Sequence, residues 1–201
     1  MRGYFIVCEG LDAAGKTTTI QKSIKYLEEG GFPIVYNKGL KSNNIFGKFS
    51  RHFPSTLSLL IETIYSDLSF VKKNIIKGKI IIQDRWFYSI FAHNPKNKKD
   101  KFLEKIFTPF LSKPDLFIYF SVSLEERIKR LEKTKENQDH RYLLENPSVI
   151  DEREKRFLYY FNESDAKKVL IDTTNKSENE SGYMLYKSIH ALLKPFFEKS
   201  R

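Results

Sequence analysis

The 201-residue sequence carries 35 Lys+Arg against 25 Asp+Glu, a formal charge of +10, with 40% apolar residues and a single cysteine. That apolar content excludes a disordered chain, and one cysteine excludes both an intramolecular disulfide framework and a multi-cysteine zinc site. No apolar run approaches the roughly 18 residues of a membrane helix, so a single domain over residues 1–201 in the cytoplasm is expected, with the charge leaving nucleic acid, a membrane surface or phosphorylated small molecules as partners.

In chain order, Tyr4 to Glu9 reads as a short strand buried on both faces, and it ends too soon to form a signal-peptide core. A glycine-bearing loop follows, then a helix from about Thr17 to Glu29, stopped by Gly30-Gly31. Ile34 to Tyr36 is a second strand, and Lys38 to Ser55 a polar, irregular segment. Leu57 to Lys77 has helical periodicity through Leu60, Ile64, Leu68, Val71 and Ile75, with Gly78 ending it. Lys79 to Asp84 and Leu116 to Val122 are further buried strands, separated by a stretch whose lysines (Lys96, Lys98, Lys99, Lys101) read as a solvated loop. Leu124 to Leu131 is helical, and Glu132 to Arg141 is a charged stretch with no core-forming residues. Val149 to Phe161 is a helix, Lys168 to Asp172 a last strand, Asn175 to Gly182 a polar connector, and Tyr183 to Phe197 a closing helix. Five apolar strands separated by helices predict an α/β fold with an open, parallel five-stranded sheet covered on both faces. Ligands on such a sheet bind at the carboxyl ends of its strands.

The loop after the first strand is Gly10-Leu11-Asp12-Ala13-Ala14-Gly15-Lys16-Thr17, which satisfies G-x-x-x-x-G-K-S/T between a strand and a helix. Its glycines let successive backbone N–H groups converge on phosphate oxygens, and the helix N-terminus adds positive charge. Gly10, Ala13, Ala14, Gly15, Lys16, Thr17 and Thr18 are therefore the expected ATP-binding residues. Lys16 is expected to reach the β- and γ-phosphates, and the Thr17 hydroxyl to ligate Mg²⁺. Asp12 is a carboxylate inside an anion cradle; it either faces a cation or ligand hydroxyl, or is solvated at the loop tip. Asp84, at the carboxyl end of its strand, is placed to enter the magnesium shell or to orient Arg85, whose planar fork suits a phosphate.

These stretches resemble the thymidylate kinase family. F-I-V-C-E-G-L-D-A-A-G-K-T-T is similar to that family's opening pattern E-G-x-D/E-x-x-G-K-S/T-T. Asp84-Arg85-Trp86-Phe87-Tyr88-Ser89-Ile90-Phe91-Ala92-His93 is similar to its D-R-Y-x-x-S-x-x-A-Y. The resemblance implies a P-loop nucleoside monophosphate kinase fold with a mobile lid, and the reaction ATP + dTMP → ADP + dTDP with Mg²⁺. It also implies that Asp12 approaches the acceptor's sugar hydroxyl, that Arg85 holds the acceptor's phosphate, and that Ser89 lies near the base.

Three departures from the family pattern all fall on acceptor recognition. Where the family has R-E-P-G, this chain reads Tyr36-Asn37-Lys38-Gly39-Leu40, so Lys38 substitutes as a point charge. The nearest match to F-x-A-D-R is Ile64-Tyr65-Ser66-Asp67-Leu68, which replaces the arginine by Leu68 and moves the aromatic to Tyr65 or Phe70. His93 and Asn94 stand in place of Tyr-Gln, with His93 either touching substrate or packing. A nucleoside kinase or a kinase of another small phosphate acceptor is the alternative these changes motivate. The resemblance places the lid at about 132–143, and since family members whose phosphate loop lacks an internal cation, as this one does at Ala13-Ala14, tend to carry that charge in the lid, it implies Arg141 and then Arg130 as the catalytic cations. Arg153 and Arg156 share a helix face and either help hold phosphate or are solvated. Family members are commonly dimers, and the helix from Leu57 to Val71 is the implied interface. The absence of a recognised nucleic-acid module points away from nucleic acid and toward free nucleotides.

Overall fold

The structure, a computed structural model, describes residues 2–40, 45–94 and 97–198; Lys96 and residues 41–44 of the expected irregular segment lie outside the described residues. Its centre is β1 (Tyr4–Gly10), whose run of apolar residues pairs in parallel with β3 (Ile80–Asp84) on one side and β4 (Leu116–Ser121) on the other. β2 (Ile34–Lys38) and β5 (Lys167–Asp172) add to the two edges in parallel, giving the order β2-β3-β1-β4-β5. The expected parallel five-stranded sheet is thus present.

The two-residue alternation of β1 feeds two separate cores. Ile6 and Cys8 point to the face covered by α1 (Lys16–Glu29) and α10 (Glu178–Glu198), with Ile20, Leu27, Leu185 and Ile189. Phe5 and Val7 point to the opposite face, with Leu60, Phe91, Phe117, Tyr119 and Phe157. Burial on both sides explains why β1, β3 and β4 read as continuous apolar strings rather than alternating ones.

Several elements differ from the sequence expectation. Within the segment expected to be irregular, Ile45–His52 forms α2, tied down by a buried Ser50 hydroxyl that donates to the buried Glu62 carboxylate at 2.6 Å. The single helix expected from Leu57 to Lys77 is α3 (Thr56–Ser66), a π-helical turn over Asp67–Val71, and α4 (Lys72–Ile76). The widened turn places the Asp67 carboxylate in the interior, where it pairs with Lys72 at 2.9 Å and accepts from the Ser112 backbone N–H. Between β3 and β4 stand two helices, α5 (Phe87–His93) and α6 (Lys98–Phe107); Lys98, Lys99 and Lys101 are exposed as expected, but on α6 rather than on a loop. After α7 (Leu124–Glu132), the charged stretch turns and then continues as α8 (Gln138–Glu145), which the buried Leu143 anchors to the core. α9 (Pro147–Glu163) extends two residues beyond each end of its expected range, and α10 begins inside the expected connector.

Phe157 of α9 is fully buried, with its ring edge-on to His93 at 5.3 Å and near Tyr119 at 6.1 Å. Phe157→Ala is expected to cost about 3–5 kcal/mol, the range for truncating a buried phenylalanine. A urea-denaturation midpoint that scarcely moves would contradict this packing.

Candidate active site

The parallel order brings the carboxyl ends of the strands to one edge, where the loops after β1, β2 and β3 line a cleft of about 1180 Å³. A single-ligand pocket is commonly about 300–1,000 Å³, and this cleft exceeds that range. Its floor is the phosphate loop, from Leu11 to Thr18. Gly15 has φ 72° and Ala13 φ 61°, left-handed conformations that turn the loop into α1. Gly10 lies against the next strand, and a Cβ there would meet the Phe120 carbonyl oxygen at 2.6 Å.

Two groups outside the loop brace it. Arg130 of α7 donates to the Ala13 carbonyl at 3.3 Å and to Thr173 at 3.1 and 2.9 Å, while Glu126 accepts from its Nε at 2.9 Å. Thr173 in turn donates to the Ala14 carbonyl at 3.1 Å. Arg127, 1% exposed, lies against the Asp12 carbonyl and pairs with Glu154 at 3.4 Å. Neither Arg127 nor Thr173 was legible as a site residue, because nothing in local sequence shows that α7 and the end of β5 flank the loop.

At the end of β3, Asp84 is 3% exposed and collects three neighbours. The Thr17 hydroxyl donates to it at 2.7 Å, the Tyr36 hydroxyl at 3.2 Å, and the Lys16 ammonium lies at 3.5 Å. Burial lowers the proton affinity of Lys16, and burial together with Asp84 raises that of Tyr36. A threonine hydroxyl and a carboxylate side by side are hard oxygen donors of the kind Mg²⁺ takes alongside phosphates and water. Among the described residues there is no cluster of three or more His, Cys, Asp or Glu that would hold a metal by itself. The donor set therefore fits a magnesium ion brought in with a nucleotide rather than a resident metal.

Arg85 follows in a left-handed conformation, φ 74°, uncommon for a residue with a side chain. Its N–H donates to the Cys8 carbonyl at 3.0 Å, and its own carbonyl accepts from the Gln83 amide at 2.9 Å. Gly39 makes room for that carbonyl, since a Cβ at position 39 would stand 1.9 Å from it. The turn aims the Arg85 guanidinium across the cleft to an ion pair with Asp12, and to the Ser89 hydroxyl and His93 Nε2, each at 3.3 Å. His93 Nδ1 faces the Ser89 carbonyl at 2.9 Å, which places its proton there and leaves Nε2 to accept from Arg85. Burial lowers the proton affinity of His93, in agreement with the neutral ring. Asp12 is held well below the usual carboxylate range, because the cations near it, Arg85 foremost and then Lys16, outweigh the opposing effect of burial. The odd carboxylate in the phosphate loop thus faces a cation.

Other expected residues fall where their elements carry them. Lys38 lines the cleft at the end of β2. Ser89 sits in its wall, but its hydroxyl is engaged with Glu9 at 2.6 Å. Tyr65 is not in the cleft lining: it packs on Phe46 at 4.6 Å between ring centroids, and Leu68 is 59% exposed outside the cleft. α3 presents Thr56, Leu57 and Leu59 to the cleft instead. Arg141 is exposed on α8 and outside the lining, whereas Asp139 and Arg153 belong to it.

Glu9 was legible only as part of a motif. Fully buried beneath Arg85, it accepts from the Trp86 N–H at 2.7 Å and from Ser89, and burial raises its pKa from the usual 4.5 to about 7 despite the nearby Arg85. A carboxyl that holds its proton more tightly folded than unfolded withdraws stability as pH rises from about 4.5 to about 7, and withdraws no more above that. The separation corresponds to about 3 kcal/mol at 1.36 kcal/mol per pH unit. Glu9→Gln is therefore expected to flatten the loss of stability between pH 5 and pH 8 by about that amount in pH-dependent urea unfolding; identical slopes in parent and variant would contradict it.

The thymidylate kinase family model matches residues 8–181. A probable thymidylate kinase of Pyrococcus abyssi is 32% identical over 146 residues, spanning 65% of this chain and 70% of the relative. One of Methanocaldococcus jannaschii is 27% identical over 184 residues, spanning 88% and 90%. The structure of a thymidylate kinase from Candida albicans superposes with a TM-score of 0.71 over 94% of this chain and 92% of that one; at 20% identity this likeness speaks to the fold. Together with the phosphate loop and the Asp84-Arg85 turn, a family match over most of the chain establishes that this protein belongs to the thymidylate kinase family, ATP-dependent phosphotransferases acting on nucleoside monophosphates.

Proposed function

We propose that the protein transfers the γ-phosphoryl group of Mg-ATP to dTMP, giving ADP and dTDP. The observation that carries this reading is the contact of Asp12 with Arg85, which joins the donor loop to a cation on the acceptor side of the same cleft. The phosphate loop from Gly10 to Thr18 would hold the donor triphosphate, with Lys16 moving between Asp84 and the β- and γ-oxygens. Thr17 and Asp84 would hold Mg²⁺, which supplies charge neutralisation at the phosphates. Arg85 would take the acceptor phosphate and Asp12 the sugar hydroxyl. Beyond them the cleft is lined by Pro54, Leu57, Leu59, Ile90 and Leu103, with Ser55, Thr56, Asn94 and Asn97 as polar groups. Aliphatic walls with a few amides and hydroxyls suit a small methylated pyrimidine held by its faces and read at its edge.

The case for a nucleoside acceptor leaned on the missing arginine at Leu68. Since Leu68 lies outside the cleft, and Lys38, Arg85 and Arg153 all line it, the cations present favour an acceptor that carries a phosphate. A coupled ADP-release assay across the nucleoside monophosphates and thymidine tests the reading. Turnover is expected with dTMP above the others; greater turnover on thymidine would replace the acceptor. Lys16→Ala should remove turnover with the fold intact, and Arg85→Ala should raise the dTMP KM tenfold or more, about 1.4 kcal/mol, while leaving the ATP KM within about twofold.

The homodimer implied by the resemblance is supported by the outward side chains of α2, α3 and the turn between them, where Phe49, Phe53 and Ile61 are 50%, 64% and 39% exposed. An apolar face of this kind marks an association surface. Light scattering should give twice the 23.7 kDa chain mass, and Ile61→Asp should halve it; a monomeric parent would remove the dimer from the reading. A cytoplasmic location completes it. No helix among the described residues is long and apolar enough to cross a membrane.

A further inference from the structure

The core-facing stripe of α9 runs through Ile150, Phe157, Tyr160 and Phe161, at the three- and four-residue spacing of a buried helix face. Arg153 and Glu154 occupy the turn between Ile150 and Phe157, where that periodicity calls for apolar residues. Glu154 has structural employment, since it receives Arg127 and the Tyr119 hydroxyl. Arg153 has none of this kind. Its Nε is buried without a hydrogen-bond partner, and among the described residues no carboxylate pairs with it.

The other buried or half-buried cations around the cleft are engaged, while Lys38 and Lys99 reach its lining from exposed positions. Lys16 rests on Asp84, Arg85 on Asp12, Arg127 on Glu154, and Arg130 on Glu126 and Thr173. Arg156, one turn further along α9, pairs with Glu152 and donates to the Ala92 carbonyl at 2.8 Å. Arg153 lines the same cleft as Asp12, Lys16 and Arg85 and is charged, half-buried and unspent. Burial weakens its hold on its proton while the nearby Asp12 strengthens it, so the guanidinium stays charged. Burying such a group without a partner is costly, and the cost is recovered when an anion arrives.

We infer that Arg153 binds the phosphoryl group in transit between donor and acceptor, taking the part that sequence assigned to Arg141 or Arg130; this rests on the kinase reading above. An oxygen of the acceptor's phosphate forms a bond to the γ-phosphorus as the bond from that phosphorus to the β,γ-bridging oxygen breaks, and the bonding electrons leave with ADP. No proton passes to Arg153, which donates N–H hydrogen bonds to the equatorial oxygens as their charge redistributes. Delivery from a helix fixed by Phe157 differs from delivery by a closing loop, because the group is already in the cleft before substrates bind.

The test compares Arg153→Ala, Arg153→Lys and Arg141→Ala with the parent by steady-state kinetics and by calorimetric binding of ADP. Removing a donor to developing charge typically lowers kcat about 10²–10³-fold, and this is expected for Arg153→Ala with the ADP affinity and the thermal midpoint nearly unchanged. Arg153→Lys should recover part of the loss, millimolar guanidinium should partly rescue Arg153→Ala, and Arg141→Ala should stay within about threefold of the parent. A kcat for Arg153→Ala within about threefold of the parent overturns the proposal, as does a loss confined to Arg141→Ala. If Arg153→Ala fails to fold, the Lys variant decides: full activity in a folded Arg153→Lys overturns the need for the guanidinium fork. A parent that turns over another monophosphate but not dTMP corrects the acceptor alone, and the same variants measured with that acceptor decide Arg153. A parent inactive on every monophosphate overturns the kinase reading and this inference with it.

Discussion

The contact between Asp12 and Arg85 connects two segments 73 residues apart in sequence, and the geometry of the cleft depends on it. Asp12 comes from the loop that turns out of β1, and Arg85 from the left-handed residue that ends β3. β1 and β3 are neighbours in the sheet, with Cys8 opposite Asp84 in register, so the two loops must emerge side by side. A left-handed arginine costs about 1–3 kcal/mol. It is held by hydrogen bonds at its own N–H and C=O, and by a glycine at position 39 whose missing Cβ leaves the carbonyl its space. Once the backbone is fixed in this way, the guanidinium reaches Asp12, Ser89 and His93 together.

Below that contact lies a second carboxylate with the opposite character. Asp12 is strongly acidic because cationic and hydrogen-bonding groups face it, whereas Glu9, fully buried, holds its proton to about neutral pH. Glu9 nevertheless orders the site from beneath. It receives the Trp86 N–H and the Ser89 hydroxyl, fixing the start of α5 and with it the direction in which His93 and Asn94 enter the cleft. Trp86 is itself packed edge-on against Phe5 at 5.2 Å, so the floor of the site and the core of one sheet face are continuous. The protein spends stability on a buried acid to hold this wall of the cleft in place, a common arrangement at functional sites.

The positive charge that marks the composition divides into distinct populations. A few cations surround the cleft, and most of these are neutralised in place by carboxylates and carbonyls. The lysines of α6 are exposed, and of them Lys99 lines the cleft. Arg130 exemplifies a cation that braces the phosphate loop through backbone oxygens rather than projecting into the cleft, and Arg153 one that lines the cleft without a partner. Net charge alone could not separate these roles, because each depends on what the guanidinium touches after folding.

The phosphate loop, the five parallel strands and the placement of Asp84 beside that loop were legible in the sequence. They rest on local rules: apolar runs for strands buried on both faces, and a glycine-lysine-threonine spacing that only a strand–loop–helix turn uses. The π-helical turn at Asp67 was not legible, since its extra residue is stabilised by the Ser112 backbone and Lys72 from elsewhere in the chain. Leu68 lies within that turn and is exposed, whereas Tyr65 lies before it in α3 and packs on Phe46 outside the cleft lining. The helices α5 and α6 were missed for a related reason. Their short, mixed sequences acquire a buried face only when laid on Phe117, Tyr160 and α3. The sequence by itself therefore determined the sheet, the donor loop and the family resemblance, all of which are written in contiguous residues. Only the tertiary structure decided which cations face the cleft, because that choice is made by contacts between segments far apart in the chain.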